Sequence, residues 1–216
     1  MSEGLENTFS GRKNIYLSII NSLFAQRVDK DTPNAVPRLL SKGVNAGSEV
    51  YELLFNKVTG KITNIKERES KFGNTFQITI EATIKDEERI LILDLPVSSS
   101  HCTSFLMRFP NIDLSEKVSL LSYSFEDENK KQRSGISVFQ NNEKILPYFT
   151  AEEKNGLPEL EKKVFKGKTV YDDTLRIEYF RKMILSKFSQ NEAPKFSQNE
   201  APKESQNEEN SEKVPF

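Results

Sequence analysis

The chain has 216 residues, 36% of them hydrophobic, and a formal net charge of −1. That length fits one ordinary domain with extensions, and the low apolar share predicts that part of it does not pack. Near-neutral charge excludes nucleic-acid binding by bulk electrostatics, so any such binding rests on a local patch. No apolar run approaches the roughly 18 to 20 residues that cross a bilayer. The opening stretch, MSEGLENTFSGRKN, is polar with no apolar segment behind it, so the expectation is a soluble cytoplasmic protein. One cysteine, Cys102, excludes an intrachain disulfide. With a single His beside it, His101, Cys and His cannot furnish a zinc site. The pair reads as a buried thiol next to a surface imidazole.

KNIYLSIINSLFAQRV fits two patterns. Tyr16, Ile19, Ile20 and Leu23 make a helical face, whereas Ile15, Leu17 and Ile19 make a strand face around a turn-prone Asn21-Ser22. The reading favours two strands, Ile15 to Ile20 and Leu23 to Val28. Two Pro and two Gly in DKDTPNAVPRLLSKGVNAGS mark a loop or arm. Residues 1–48 are therefore read as N-terminal strands and arm.

From Val50, EVYELLFNKVTGKITNI reads as one long strand, with Gly60 as its bend or bulge. TFQITIEATI alternates strictly, with Phe76, Ile78, Ile80, Ala82 and Ile84 on one face. A KDEER turn leads to ILILDL, a buried strand stopped by Pro96. SSSHCTSFLMRF reads as a short helix capped by one of its serines and ended before Pro110. SEKVSLLSYSF and ISVFQ supply the fourth and fifth strands, and NNEKILPYF a short sixth that pairs back through the Asn141-Asn142 turn. Strand, strand, strand, helix, strand, strand is the element order of the OB-fold, a five-stranded Greek-key barrel. The expected fold is thus mainly β, with an OB-like barrel over 49–150. Residues 151–187 are read as a C-terminal helical extension, with Leu175, Tyr179, Met183 and Ile184 as the apolar stripe of its helix.

No phosphate-cradling loop, dinucleotide fingerprint or nucleophile elbow occurs, so no enzyme activity, cofactor or metal is expected. An OB barrel binds single strands across its second and third strands, between the loops that follow its first and fourth. Around the first loop lie Lys61, Lys66, Arg68, Lys71 and Phe72; the second carries Lys130, Lys131 and Arg133. Lysines and arginines follow a phosphate backbone, and rings stack on any base. Tyr123, Phe125 and Phe139 are the stacking candidates. Both loops also contain acids, so plain solvated surface is the competing reading of each.

Residues 188–216 are read as a disordered tail. KFSQNEAP occurs at Lys187 and again at Lys195, followed by KESQNEEN at Lys203. This polar repeat has no core-forming residues. An acidic stretch then closes on Val214, Pro215 and Phe216. That arrangement resembles the C-terminal tip of bacterial and some phage single-stranded DNA-binding proteins. The resemblance implies that the barrel binds single-stranded DNA in replication, recombination or repair. It also implies that Val214, Pro215 and Phe216 recruit replication and repair proteins. The acids here are glutamates interspersed with Asn and Lys213, a departure from the aspartate cluster of that family. The alternative is an OB-type protein-interaction or virion-structural module without nucleic-acid binding.

Overall fold

The computed structural model describes residues 14–41, 43, 45–69, 73–165 and 167–192. The N-terminal stretch folds as strands. β1 (Asn14–Ile20) and β2 (Leu23–Val28) form an antiparallel hairpin. Asn21 and Ser22 between them have φ of 49° and 58°, the left-handed pair that a two-residue hairpin turn needs. The stretch read as an arm contains a further strand, β3 (Val36–Leu39), paired with β4 (Glu49–Phe55). Arg38 pins the two by donating to both carboxylate oxygens of Glu52, at 2.8 and 2.6 Å.

The long strand expected from Val50 is two strands. β4 turns its other edge to β2, and the chain restarts after Asn56 as β5 (Lys57–Arg68). β5 serves two neighbours in succession. Lys57–Lys61 pair with β8 (Lys117–Glu126), and Lys61–Arg68 pair with β6 (Thr75–Ile84). Gly60 stands at that crossing, where an added Cβ would lie 2.3 Å from the Glu81 carbonyl oxygen. The bulge comes slightly later. A register shift between Ile62 and Asn64 inserts one residue, so Ile62 and Ile65 both reach the core.

β6 runs through a tight turn into β7 (Glu87–Pro96). α1 (Ser100–Leu106) follows, with Ser99 as its cap accepting from the Cys102 amide at 3.1 Å. α1 sends Cys102, Phe105 and Leu106 into the core. β8, β9 (Gln132–Gln140) and the two-residue β10 (Glu143–Lys144) complete the main sheet. Among the described residues ten strands form this one sheet, in the order β10-β9-β8-β5-β6-β7-β1-β2-β4-β3.

The protein is mainly β, but the closed five-stranded barrel expected from the sequence is not what forms. Closure would require β7 to pair with β9. Instead β1 takes the free edge of β7, running parallel to it. The edge of β9 is covered by α1. Ser104 Oγ accepts from the Ile136 amide at 2.7 Å, and the Ser100 and Ser134 hydroxyls bond at 2.7 Å. A buried strand edge needs such partners for its backbone groups. With both edges satisfied in this way, the sheet stays open.

Beyond Phe149 the stretch read as helical carries a separate hairpin first, β11 (Glu161–Phe165) and β12 (Lys168–Asp172), and then α2 (Thr174–Glu192). Phe180 and Ile184 of α2 enter the core, and Phe180 meets the Phe149 ring at 6.1 Å. Leu175, assigned to the buried stripe, is instead exposed. Arg181 clamps α2 to β5 by donating to both carboxylate oxygens of Glu67, at 2.5 and 2.7 Å. α2 continues past the expected start of the tail, so the first repeat begins inside it. Lys187 donates to the Pro110 carbonyl at 2.5 Å, and the Phe188 ring lies 6.1 Å from Phe109. The rest of the repeat, with Val214, Pro215 and Phe216, lies outside the described residues. No helix among the described residues is long and apolar enough to cross a membrane.

Candidate nucleic-acid interface

Alternation along β8 and β9 decides which rings face the core. Val118, Leu120, Ile136 and Val138 are buried, so the intervening residues take the opposite face. Register then brings the three ring candidates onto that outer face. Tyr123 lies opposite Gly135, Phe125 opposite Arg133, and Phe139 opposite Ser119. The Tyr123 and Phe125 rings stack at 5.9 Å between centroids and 30° between planes. Phe125 is 54% exposed, while Tyr123 and Phe139 are half-buried. A glycine opposite Tyr123 matters here. A Cβ at position 135 would lie 2.5 Å from the Tyr123 hydroxyl and 2.7 Å from Ser104 Oγ.

The turn between β8 and β9 is organised by Asp127. Its carboxylate accepts from the backbone amides of Asn129 and Lys131, each at 2.9 Å, and from Arg133 Nε at 2.8 Å. The Lys131 amide first, and then the Arg133 guanidinium, hold this carboxyl below the ordinary carboxylate range. Arg133 is thereby fixed beside Phe125, with its side chain still 58% exposed. Lys130, at φ 57°, and Lys131 are exposed at the tip of the turn.

The β5 candidates continue the same outer face. Lys61 sits where β5 changes partners, opposite Lys117 on one side and Glu81 on the other. Two lysines directly opposite one another repel, and an anion between them relieves that repulsion. Lys66 is exposed opposite Gln77. Arg68 bonds Asp94 at 3.2 Å, and Gln77 donates to the same carboxylate at 2.8 Å. Asp94 thus counters part of the positive charge on the β6–β7 face. Lys71 and Phe72 lie outside the described residues. The two turns chosen from the sequence stand beyond opposite ends of β5, whose 12 residues span about 40 Å when extended.

The structure therefore gathers Tyr123, Phe125, Phe139 and Arg133 on one face and links them through Lys61 to Lys66 and Arg68. Lys57 and Lys117, both exposed on this face, were missed by sequence reading. Only the register of β5 against β8 reveals them. Sequence reading also missed the β11–β12 hairpin as a separate element. Its signals were weak: β-branched and aromatic residues on both sides of Gly167.

The Cys102–His101 pair offers no chemistry. Burial pushes the Cys102 thiol up to about 12, leaving it a packed, un-ionised side chain. His101 is half-buried rather than at the surface, and burial lowers its pKa. No group of carboxylates, His and Cys that could hold a metal ion occurs among the described residues.

No family model, no curated protein and no solved structure matches this chain.

Proposed function

We propose that the protein binds single-stranded DNA without sequence preference and without catalysis, through the outer face of β5, β8 and β9. The observation that carries this reading is the stacked pair Tyr123–Phe125 with Arg133 held directly opposite Phe125. Ring faces accept bases of any identity, and a cation beside them meets the phosphate. Lys57, Lys61, Lys117, Lys66 and Arg68 extend the positive track along β5. The pairing order β7-β6-β5-β8-β9 with α1 after β7 supports reading this region as an OB-type unit. In that reading its closing seam is occupied by α1 on one side and β1 on the other.

The resemblance of the acidic stretch and its Val214-Pro215-Phe216 to single-strand-binding tips supports a role in replication, recombination or repair. In this reading, Val214, Pro215 and Phe216 dock on replication or repair proteins, with the Phe216 ring in an apolar pocket.

Fluorescence titration with oligo(dT) at stepped salt tests the binding. Affinity should fall steeply as salt rises, because each phosphate contact releases counterions. Folded protein that leaves oligo(dT) unbound at micromolar concentration and low salt would overturn the reading. In that case, recruitment of a protein partner by a variant neutralised at Lys66, Arg68, Lys130, Lys131 and Arg133 would favour an interaction module.

A further inference from the structure

The β11–β12 hairpin is a small sheet of its own, pairing with no other strand among the described residues. Two-stranded hairpins are marginal in water, and this one leaves large apolar side chains in solvent. Phe165 is 64% exposed and Tyr171 62%. Its register puts a lysine directly opposite each ring, Lys162 across from Tyr171 and Lys168 across from Phe165. This repeats the arrangement of Phe125 and Arg133 on β8 and β9.

Charge is distributed unevenly over its two faces. Residues 161–172 contain four lysines and two acids, a net of +2. Both acids, Glu161 and Asp172, share the face of Phe165 and Lys168, where they pair with Lys163. The other face, with Lys162, Val164, Thr169 and Tyr171, has no acid. A cation beside an exposed ring with no competing carboxylate is complementary to a nucleotide, with its phosphate and its flat base.

Position points the same way. The root of the hairpin adjoins the β5–β6 turn. Asp173 and Ile177 share a cleft of about 390 Å³ with Gly73, Asn74, Thr75 and Val97. Thr75 is paired with Arg68 on one side and Pro96 on the other. A strand that follows β5 past Lys61, Lys66 and Arg68 therefore leaves the sheet beside this hairpin.

We propose that the β11–β12 hairpin is a second single-stranded nucleic-acid contact, with Lys162 and Tyr171 on its acid-free face as the binding pair. This rests on the DNA-binding reading above and extends its footprint beyond the main sheet.

The test uses the full-length protein with a short and a long oligo(dT). Two variants are made, Lys162→Ala and Tyr171→Ala. On the long oligonucleotide each should lose about tenfold in affinity, the order expected for lost base stacking. The lysine variant should also lower the salt slope by about 0.7, the value for one contact to a single strand. On an oligonucleotide too short to reach from β8 to the hairpin, both should match wild type. In wild-type protein, bound long oligo(dT) should protect Lys162 from reductive methylation, a readout independent of how the variants fold. Wild type that binds, with neither protection nor a change in salt slope, overturns the hairpin proposal alone and leaves the main face standing. Wild type that does not bind overturns both. Protection of Lys162 by a protein partner but not by oligo(dT) would also overturn the proposal.

Discussion

Tyr123 lies across the strand from Gly135, and a methyl group at position 135 would stand 2.5 Å from its hydroxyl. The glycine is therefore what lets the ring occupy that part of the outer face beside Phe125.

Gly135→Ala should displace the Tyr123 ring and also press on Ser104 Oγ, the acceptor of the Ile136 amide, so up to about 1–3 kcal/mol of stability should go with it. Losing one stacking position costs about 1–3 kcal/mol of binding. Oligo(dT) affinity, measured well below the variant's melting temperature, should fall at least severalfold. Unchanged affinity would remove Tyr123 from the interface.

Gly60→Ala presents the opposite case. Its added Cβ would meet a backbone carbonyl, Glu81 O at 2.3 Å, and the Ile80 side chain at 2.6 Å. A central strand must shift to accommodate it, so we expect destabilisation of about 3 kcal/mol, read by urea denaturation.

Ser104→Ala should expose the role of α1 as an edge cover. It leaves the amide of fully buried Ile136 without its hydroxyl acceptor, at a cost of about 1–3 kcal/mol. Hydrogen exchange at Ile136 should accelerate more than at Leu120 in the neighbouring strand.

Acid should loosen α2. Arg181, by its side-chain hydrogen bonds, holds the Glu67 carboxyl below its usual range. A carboxylate with a depressed pKa contributes its stability fully above the unfolded value of about 4.3. That contribution is lost as pH falls from there through the lower folded value. Glu67→Gln should cost about 1–2 kcal/mol at neutral pH, reduced from a fully buried pair because the Arg181 side chain is 37% exposed. The gap in melting temperature between wild type and variant should close as the pH is taken below 4.3.

Strands with clear alternation or hairpin turns were legible in the sequence. Phe76 to Ile84 is such a case, and so is the Asn21-Ser22 turn, whose first left-handed position suits Asn. The split after Asn56 was not legible, because Leu53, Leu54 and Phe55 run into Val58 without a turn signal. The β11–β12 hairpin was missed for a related reason: its rings are not buried, so no alternation of core and surface marks it.

Local chemistry by itself determined the elements: where apolar residues alternate, where a serine caps α1, and which turn residues tolerate positive φ. It also singled out Tyr123, Phe125 and Arg133 as candidates. Only tertiary structure decided which strand edges meet. β1 pairs with β7, and α1 answers the backbone of β9, so the sheet remains open. Strand partners are chosen by hydrogen bonds between segments far apart in the chain, and those bonds leave no local pattern in the residues that make them. The same long-range register set Phe125 against Arg133 and Lys61 against Lys117, and so turned scattered cations and rings into one face.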